Sequence, residues 1–232
     1  MYKFRELQKA ARKEIAGKEI RVAVLGNCAT QFFSEAIQGY GKISGLNLNV
    51  YDTDYNQIDA QLVDENSEVY AFHPDHILIW LATDKIYEEF LEMDMSSRSR
   101  FAELYMQKLE HYWSLIAAKS KAHVIQMNFT EINDKVLGNY SCKVESTFCY
   151  QIRKLNFLLQ EAMSKNGNIY PVDLLSLQIQ LGTKELYYAP LYYNAKMCID
   201  MKALPYVAKA VTDVLLAMSG KIKKCIVCDL DN

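Results

Sequence analysis

Ile20-Arg-Val-Ala-Val-Leu25 runs straight into Gly26-Asn-Cys-Ala-Thr30 and from there into Gln31 to Tyr40. The first stretch is short, apolar and rich in β-branched residues, which marks a buried strand. The second combines a glycine with small polar residues, the composition of a tight turn. The third reads as a helix leading away from that turn. A strand that passes through a tight turn into a helix opens a βαβ unit. In sheets built from such units, ligands sit in the loops beyond the carboxyl ends of the strands.

The same alternation continues along the chain. Leu46 to Tyr51 reads as a second strand, followed by the polar turn Asp52-Thr-Asp-Tyr-Asn56 and a short helix over Gln57 to Val63. Ile77-Leu-Ile-Trp-Leu81 is a third strand, and its unbroken apolarity argues for burial on both faces, as in a parallel sheet covered by helices. A long helix from Arg98 to Ser120 leads to a fourth strand at Ala122 to Met127. Another helix, Glu145 to Ser164, leads to Ile169-Tyr-Pro-Val-Asp173, and Leu204 to Met218 is the last helix. Residues 4 to 16 carry apolar positions at helical spacing and end in Gly17, so an N-terminal helix is expected outside the sheet. The pattern predicts an α/β fold, a three-layer α/β/α sandwich with a mainly parallel, doubly wound sheet and the first strand central. The expected organisation is an N-terminal helix over 1–18, an α/β domain over 19–219, and over 220–232 a linker and the first strand of a further domain.

Composition narrows the classes of function. A chain of 232 residues with 50% hydrophobic residues can bury one large core. Its 26 basic and 28 acidic residues form no long run of either sign, so nucleic acid and anionic membranes are not expected partners. A local phosphate site needs only a few donors and stays open. The opening residues lack the apolar core of a signal peptide, and no apolar run reaches the ~20 residues of a membrane span, so a cytoplasmic protein is expected. Cysteines at 28, 142, 149, 198, 225 and 228 are too sparse and irregular for a disulfide scaffold, which agrees with a reducing compartment. Cys225 and Cys228 have no second Cys/His pair nearby and read as core residues rather than metal ligands. His73 and His76 flank a turn entering the third strand, His111 lies within a helix and His123 starts the fourth strand. All four read as structural.

The turn after the first strand resembles that of SGNH hydrolases, where Gly-Asp-Ser exposes a nucleophilic hydroxyl at the start of a helix. In Gly26-Asn27-Cys28-Ala29-Thr30, Cys28 takes the nucleophile's position and Asn27 the aspartate's. The helix start would favour a thiolate at Cys28; the alternative is a buried cysteine that only packs. The family's Gly-x-Asn-Asp block should fall near Leu81-Ala-Thr-Asp84, where only Asp84 matches. Its closing Asp-x-x-His should fall where the sequence reads Tyr193-Asn-Ala-Lys196. Lys196 thus stands in place of the general-base histidine, and a lysine serves as base only if its pKa falls by several units. As a charged group it would instead contact an anion, which is the favoured reading. Gly26, Asn27, Cys28, Thr30, Asp84 and Asn128 are expected to line one depression, with Lys196 within reach.

The end of the chain carries the second resemblance. Cys225-Ile-Val-Cys-Asp-Leu-Asp-Asn232 is similar to the strand that leads into the Asp-x-Asp-x-Thr motif of haloacid dehalogenase (HAD) phosphatases, stopping before the threonine. Val50-Tyr-Asp-Thr-Asp-Tyr-Asn-Gln57, Val69-Tyr-Ala-Phe-His-Pro-Asp75, Val124-Ile-Gln-Met-Asn128, Val136-Leu-Gly-Asn-Tyr140 and Tyr192-Tyr-Asn-Ala-Lys-Met197 resemble segments of FkbH-like proteins, in which an SGNH-like domain precedes a HAD-type phosphatase domain. The resemblance implies a longer, bifunctional parent. There Asp229 would be the phosphoryl-accepting nucleophile, Asp231 the general acid/base, and both carboxylates would hold Mg²⁺. It further implies a small phosphorylated acyl substrate, an acyl-carrier protein as partner and the C-terminal HAD domain as a partner in cis. The fragment itself is expected to need no cofactor. Three readings follow: an accessory domain that positions substrate or carrier, an independent acyltransferase or esterase with Cys28 as nucleophile, and a structural self-association domain.

Overall fold

The computed structural model describes residues 1–132, 134 and 136–221. Its sheet has five parallel strands, β1 (Glu19–Gly26), β2 (Asn47–Asp52), β3 (His76–Trp80), β4 (His123–Met127) and β5 (Ile169–Val172), in the order β2-β1-β3-β4-β5. The helices are α1 (Phe4–Ala11), α2 (Gln31–Ile43), α3 (Ile58–Val63), α4 (Glu68–Ala71), α5 (Thr83–Glu92), α6 (Phe101–Lys119), α7 (Phe148–Ser164), α8 (Leu174–Leu181), α9 (Thr183–Leu186), α10 (Ala189–Ala195) and α11 (Leu204–Met218). From β1 the chain moves to one side for β2 and crosses back to the other for β3, so the topological switch point lies between β1 and β3. The middle place in the sheet belongs to β3, with β1 the inner strand beside it.

The strand pleat divides the core into two layers. Ala23 and Leu25 of β1 and Ile77 and Ile79 of β3 face a cluster built with α3, α5, α6 and α7. Val22 and Val24, with Leu78 and Trp80, face the cluster formed with α1, α2 and α11. Both faces are covered, which explains the continuous apolar strands. Burying each such Val, Leu or Ile side chain contributes about 1.5–3 kcal/mol. Two buried glutamines join the helical layer to its surroundings. Gln151 Oε1 accepts from Ala102 N–H at 2.8 Å, satisfying a first-turn donor of α6, while its amide donates to Glu145 O and Ser99 O. Gln126 on β4 accepts from Trp113 Nε1 at 3.1 Å.

The N-terminal helix ends at Ala11 rather than at residue 16. Its position is set by Gly39 on α2, where an added Cβ would lie 2.1 Å from Leu7 O. The two helices touch backbone to backbone there. At the other end, Lys221 Nζ donates to Gly45 O at 2.8 Å, so α11 returns the chain to the amino edge of the sheet. Residues 222–232, with Cys225, Cys228, Asp229 and Asp231, lie outside the described residues. No helix among the described residues is long and apolar enough to cross a membrane.

Candidate functional site

At the carboxyl ends of β1 and β3 the turn Gly26–Thr30 meets the loop entering α5. Gly26 is needed there because a Cβ would stand 2.6 Å from Thr30 Cγ2. Asn27 bridges the switch point: its Oδ1 accepts from Ala82 N–H at 2.7 Å, while its buried Nδ2 has no partner. Cys28 follows at the entrance to α2 but is only 1% exposed. The segment through α9 and α10 closes over it, tied by a bond from Ala29 N–H to Lys196 O at 2.9 Å. Cys198 is buried in the same cluster as Cys28; the neighbouring Cys28 thiol, burial and nearby charge all push the Cys198 pKa up.

Asp84 lies in the first turn of α5, on the same side. Burial raises its pKa above the ordinary carboxylate value, and its Oδ2 is buried without a partner. Beside it Thr83 and Thr130 share a hydrogen bond of 2.9 Å, and Thr130 meets the Tyr187 hydroxyl. Burial drives the Tyr187 pKa up against the opposing effect of Thr130, with further increments from Asp84, Cys198 and Cys28. Cys28 and Cys198 share one buried cluster against which Tyr187 packs, and Asp84 adjoins Thr83, which reaches Tyr187 through Thr130. Tyr187 and Cys198 were not foreseen from the sequence, since no motif spacing marks them.

Lys196 is exposed at the rim. Its φ of 54° ends α10 in the left-handed conformation, and its ammonium lies 5.0 Å from the centre of the Tyr192 ring. Tyr192 donates to Glu88 Oε1 at 2.6 Å and Lys85 pairs with Glu88 Oε2 at 2.8 Å. Burial pushes the Glu88 carboxyl up, but Lys85, Tyr192 and the more distant Lys196 outweigh it and hold the group below its usual value. Lys196 is therefore one of several charged groups around Glu88.

Two expected members face elsewhere. Thr30 donates to Asp52 Oδ1 at 2.7 Å, an oxygen also bound by Ser34 at 2.6 Å, so its hydroxyl serves the end of β2. Asn128 donates to Asp173 Oδ1 at 2.7 Å and accepts from Leu175 N–H at 3.0 Å. Both ends of its carboxamide are thus committed to the start of α8. Asn128 lines a separate groove of about 700 Å³ with Glu131, Arg153, Phe157 and Ile179, which none of Gly26, Asn27, Cys28, Asp84 and Lys196 borders. The expectation that Asn128 lines one depression with Gly26, Asn27, Cys28, Thr30 and Asp84 is therefore corrected: from the loop after β4 it is Thr130 that reaches this side, bonded to Thr83, the neighbour of Asp84.

No histidine supplies a base here. His76 and His123 are register partners at the amino ends of β3 and β4, their rings stacked at 5.8 Å. Among the described residues, no group of three or more His, Cys, Asp and Glu is arranged to hold a metal ion. The arrangement is a buried thiol with a carboxyl group and a phenol nearby, and no histidine base beside them.

The model of the FkbH N-terminal domain matches residues 21–216. The chain belongs to this family. Solved structures share the fold of this FkbH N-terminal domain. The N-terminal part of a Bacteroides fragilis protein, described as containing a phosphatase domain and complexed with Mg, is 30% identical with a TM-score of 0.92. That match covers 100% of this chain, which spans 61% of the other. A lipase/acylhydrolase from Enterococcus faecalis is 12% identical, covering 90% of this chain and 100% of its own, with a TM-score of 0.55. The acetyl xylan esterase AlAXEase is 13% identical, covering 84% and 98%, also at 0.55. These last two likenesses concern the fold alone. A comparison with curated proteins finds no match.

Proposed function

We propose that this FkbH N-terminal domain is an accessory module that positions a small phosphorylated acyl substrate, or the acyl-carrier protein that receives the acyl group, for a HAD-type phosphatase domain of a longer parent. The observation that carries this reading is the state of the hydrolase position. Cys28 is enclosed, Asn27 is spent on Ala82, and the residue in place of the base histidine, Lys196, points a charged group to solvent at the rim. A nucleophile needs access and a base within hydrogen-bond reach. An exposed lysine beside Tyr192 instead suits contact with a phosphate or with an acidic carrier surface. In the parent, Asp229 and Asp231 would hold Mg²⁺, which neutralises charge on the phosphoryl group, and Asp229 would accept that group.

The test uses the longer protein. Lys196→Ala is expected to raise KM for a phosphorylated three-carbon acid about tenfold, the loss of one charge-assisted contact, while kcat for a small aryl phosphate stays unchanged. An unaltered KM for every phosphorylated acid and carrier tried would remove Lys196 from the reading.

The independent acyltransferase or esterase remains as a second reading, because Cys28 does occupy the switch point at the entrance to α2. It requires the segment over Cys28 to open. Rapid, stoichiometric alkylation of Cys28 at neutral pH would favour that reading over the accessory module.

A further inference from the structure

Cys142 and Cys149 bring their sulfurs to 3.7 Å, well apart in sequence from the cluster around Cys28. They come from different elements. Cys142 lies in the 3-10 turn Gly138–Lys143 and is exposed, whereas Cys149 is the second residue of α7 and is buried. Thr147 fixes the junction between them: its hydroxyl bonds Ser141 O at 2.7 Å and Val144 O at 2.8 Å. The approach of the two sulfurs thus rests on a framework that involves neither thiol.

Arg153, one turn further along α7, brings Nη1 to 3.3 Å from Cys142 Sγ. Its Nε and Nη2 each bond Glu131 at 2.7 Å, so the guanidinium is held in place. Cys142 is the accessible sulfur of the pair, and the fixed guanidinium stands beside it as a donor to the charge that develops as the sulfur reacts. Burial, followed by the hydrogen bond with Cys142, pushes the Cys149 thiol up, which suits the partner that reacts second. A disulfide has its sulfurs ~2.05 Å apart, so closure requires an approach of about 1.7 Å.

We propose that Cys142 and Cys149 form a reversible oxidation site at which a hydroperoxide converts the pair to an intramolecular disulfide. The Cys142 thiolate attacks the peroxide oxygen and the O–O bond breaks. The departing hydroxide or alkoxide takes up the proton that the thiol released on ionising, leaving a sulfenic acid on Cys142. Cys149 sulfur then attacks Cys142 Sγ, the S–O bond breaks, and hydroxide leaves as water with the Cys149 proton. Two thiols lose two electrons, and hydrogen peroxide is reduced to two waters. A dithiol reductant reverses the bond by thiol–disulfide exchange.

The test treats the native 232-residue chain with equimolar hydrogen peroxide, alkylates the remaining thiols under denaturing conditions and digests without reduction. Trypsin cuts after Lys135, Lys143 and Arg153, which puts Cys142 and Cys149 on separate peptides. Those peptides should stay joined, with the loss of two hydrogen atoms, and separate on reduction. In Cys149→Ser, dimedone should trap a sulfenic acid on Cys142; in Cys142→Ser, Cys149 should remain alkylatable. Arg153→Gln should slow the oxidation several-fold. Circular dichroism confirms that each variant is folded. Cys142 oxidised without joining Cys149, or joined instead to Cys28, Cys198, Cys225 or Cys228, would overturn the proposal.

Discussion

Asp84 Oδ2 is buried without a donor, and that single atom shapes the pH response of the candidate site. Its carboxyl binds its proton more tightly in the folded chain than in the unfolded one, because burial opposes the charge. The folded state then holds more protons in that range, so stability falls as pH rises through the ordinary carboxylate pKa towards the raised one. Asp84→Asn is expected to stabilise the chain by on the order of 1 kcal/mol at pH 7. The gain should shrink as pH falls through the carboxylate range, where the wild-type carboxyl takes up its proton in the folded chain before the unfolded one; urea unfolding across that range measures it, and a destabilised variant at pH 7 would contradict the assignment. At Cys28, a small maleimide should react with the native chain far more slowly than with the unfolded one, since 1% of the residue is exposed. The sequence made Cys28, Asn27 and Asp84 legible because motif positions relative to strands survive as spacing. It did not reveal Tyr187 and Cys198, which arrive through a long connection with no motif, and it misplaced Asn128, because which way a loop side chain turns depends on hydrogen-bond partners such as Asp173 and Leu175.

At the level of elements, the amino end of β3 carries the second pH-sensitive feature. His76 is buried against His123, and burial, aided by the second imidazole, lowers its pKa to about 4 while Asp75 opposes the shift. The unfolded chain therefore binds the extra proton first as pH falls, and stability conferred by the neutral ring is lost between about 6.5 and 4. His76→Gln should flatten that part of the stability profile by on the order of 2 kcal/mol. An unchanged profile across that window would show that another group titrates there. The packing of α1 on α2 offers a sharper structural test. Gly39→Ala must push α1, through Leu7 O, away from α2, at a cost of about 1–3 kcal/mol, read as a lower Tm and faster proteolysis of residues 1–18. The strands and the long helices α6, α7 and α11 were readable from apolar runs and helical periodicity. The first helix does not extend to residue 16, and none of α4, α5, α8, α9 and α10 is assigned from the sequence. These helices are short or bury few residues, as with α10, where none is buried, so their periodicity carries little signal.

For the whole molecule, the question is how a hydrolase-type fold is used when its nucleophile position is enclosed. Family membership carries the fold, and function must be argued from the site. The candidate site has a buried thiol, a protonation-prone carboxyl and no histidine base, whereas the residues proposed above for phosphoryl transfer, Asp229 and Asp231, come after α11 in the sequence. Phosphoryl transfer needs nucleophile, metal and charge-stabilising groups preorganised in one pocket. The most direct measurement is phosphate release from phosphorylated three-carbon acids with Mg²⁺, compared between the purified 232-residue chain and the longer protein at matched concentration. Turnover is expected from the longer protein and none from this chain, with a loss in Asp229→Asn of the longer form on the order of a thousandfold or more. Metal-dependent phosphate release by the 232-residue chain alone, persisting through repurification, would contradict that expectation.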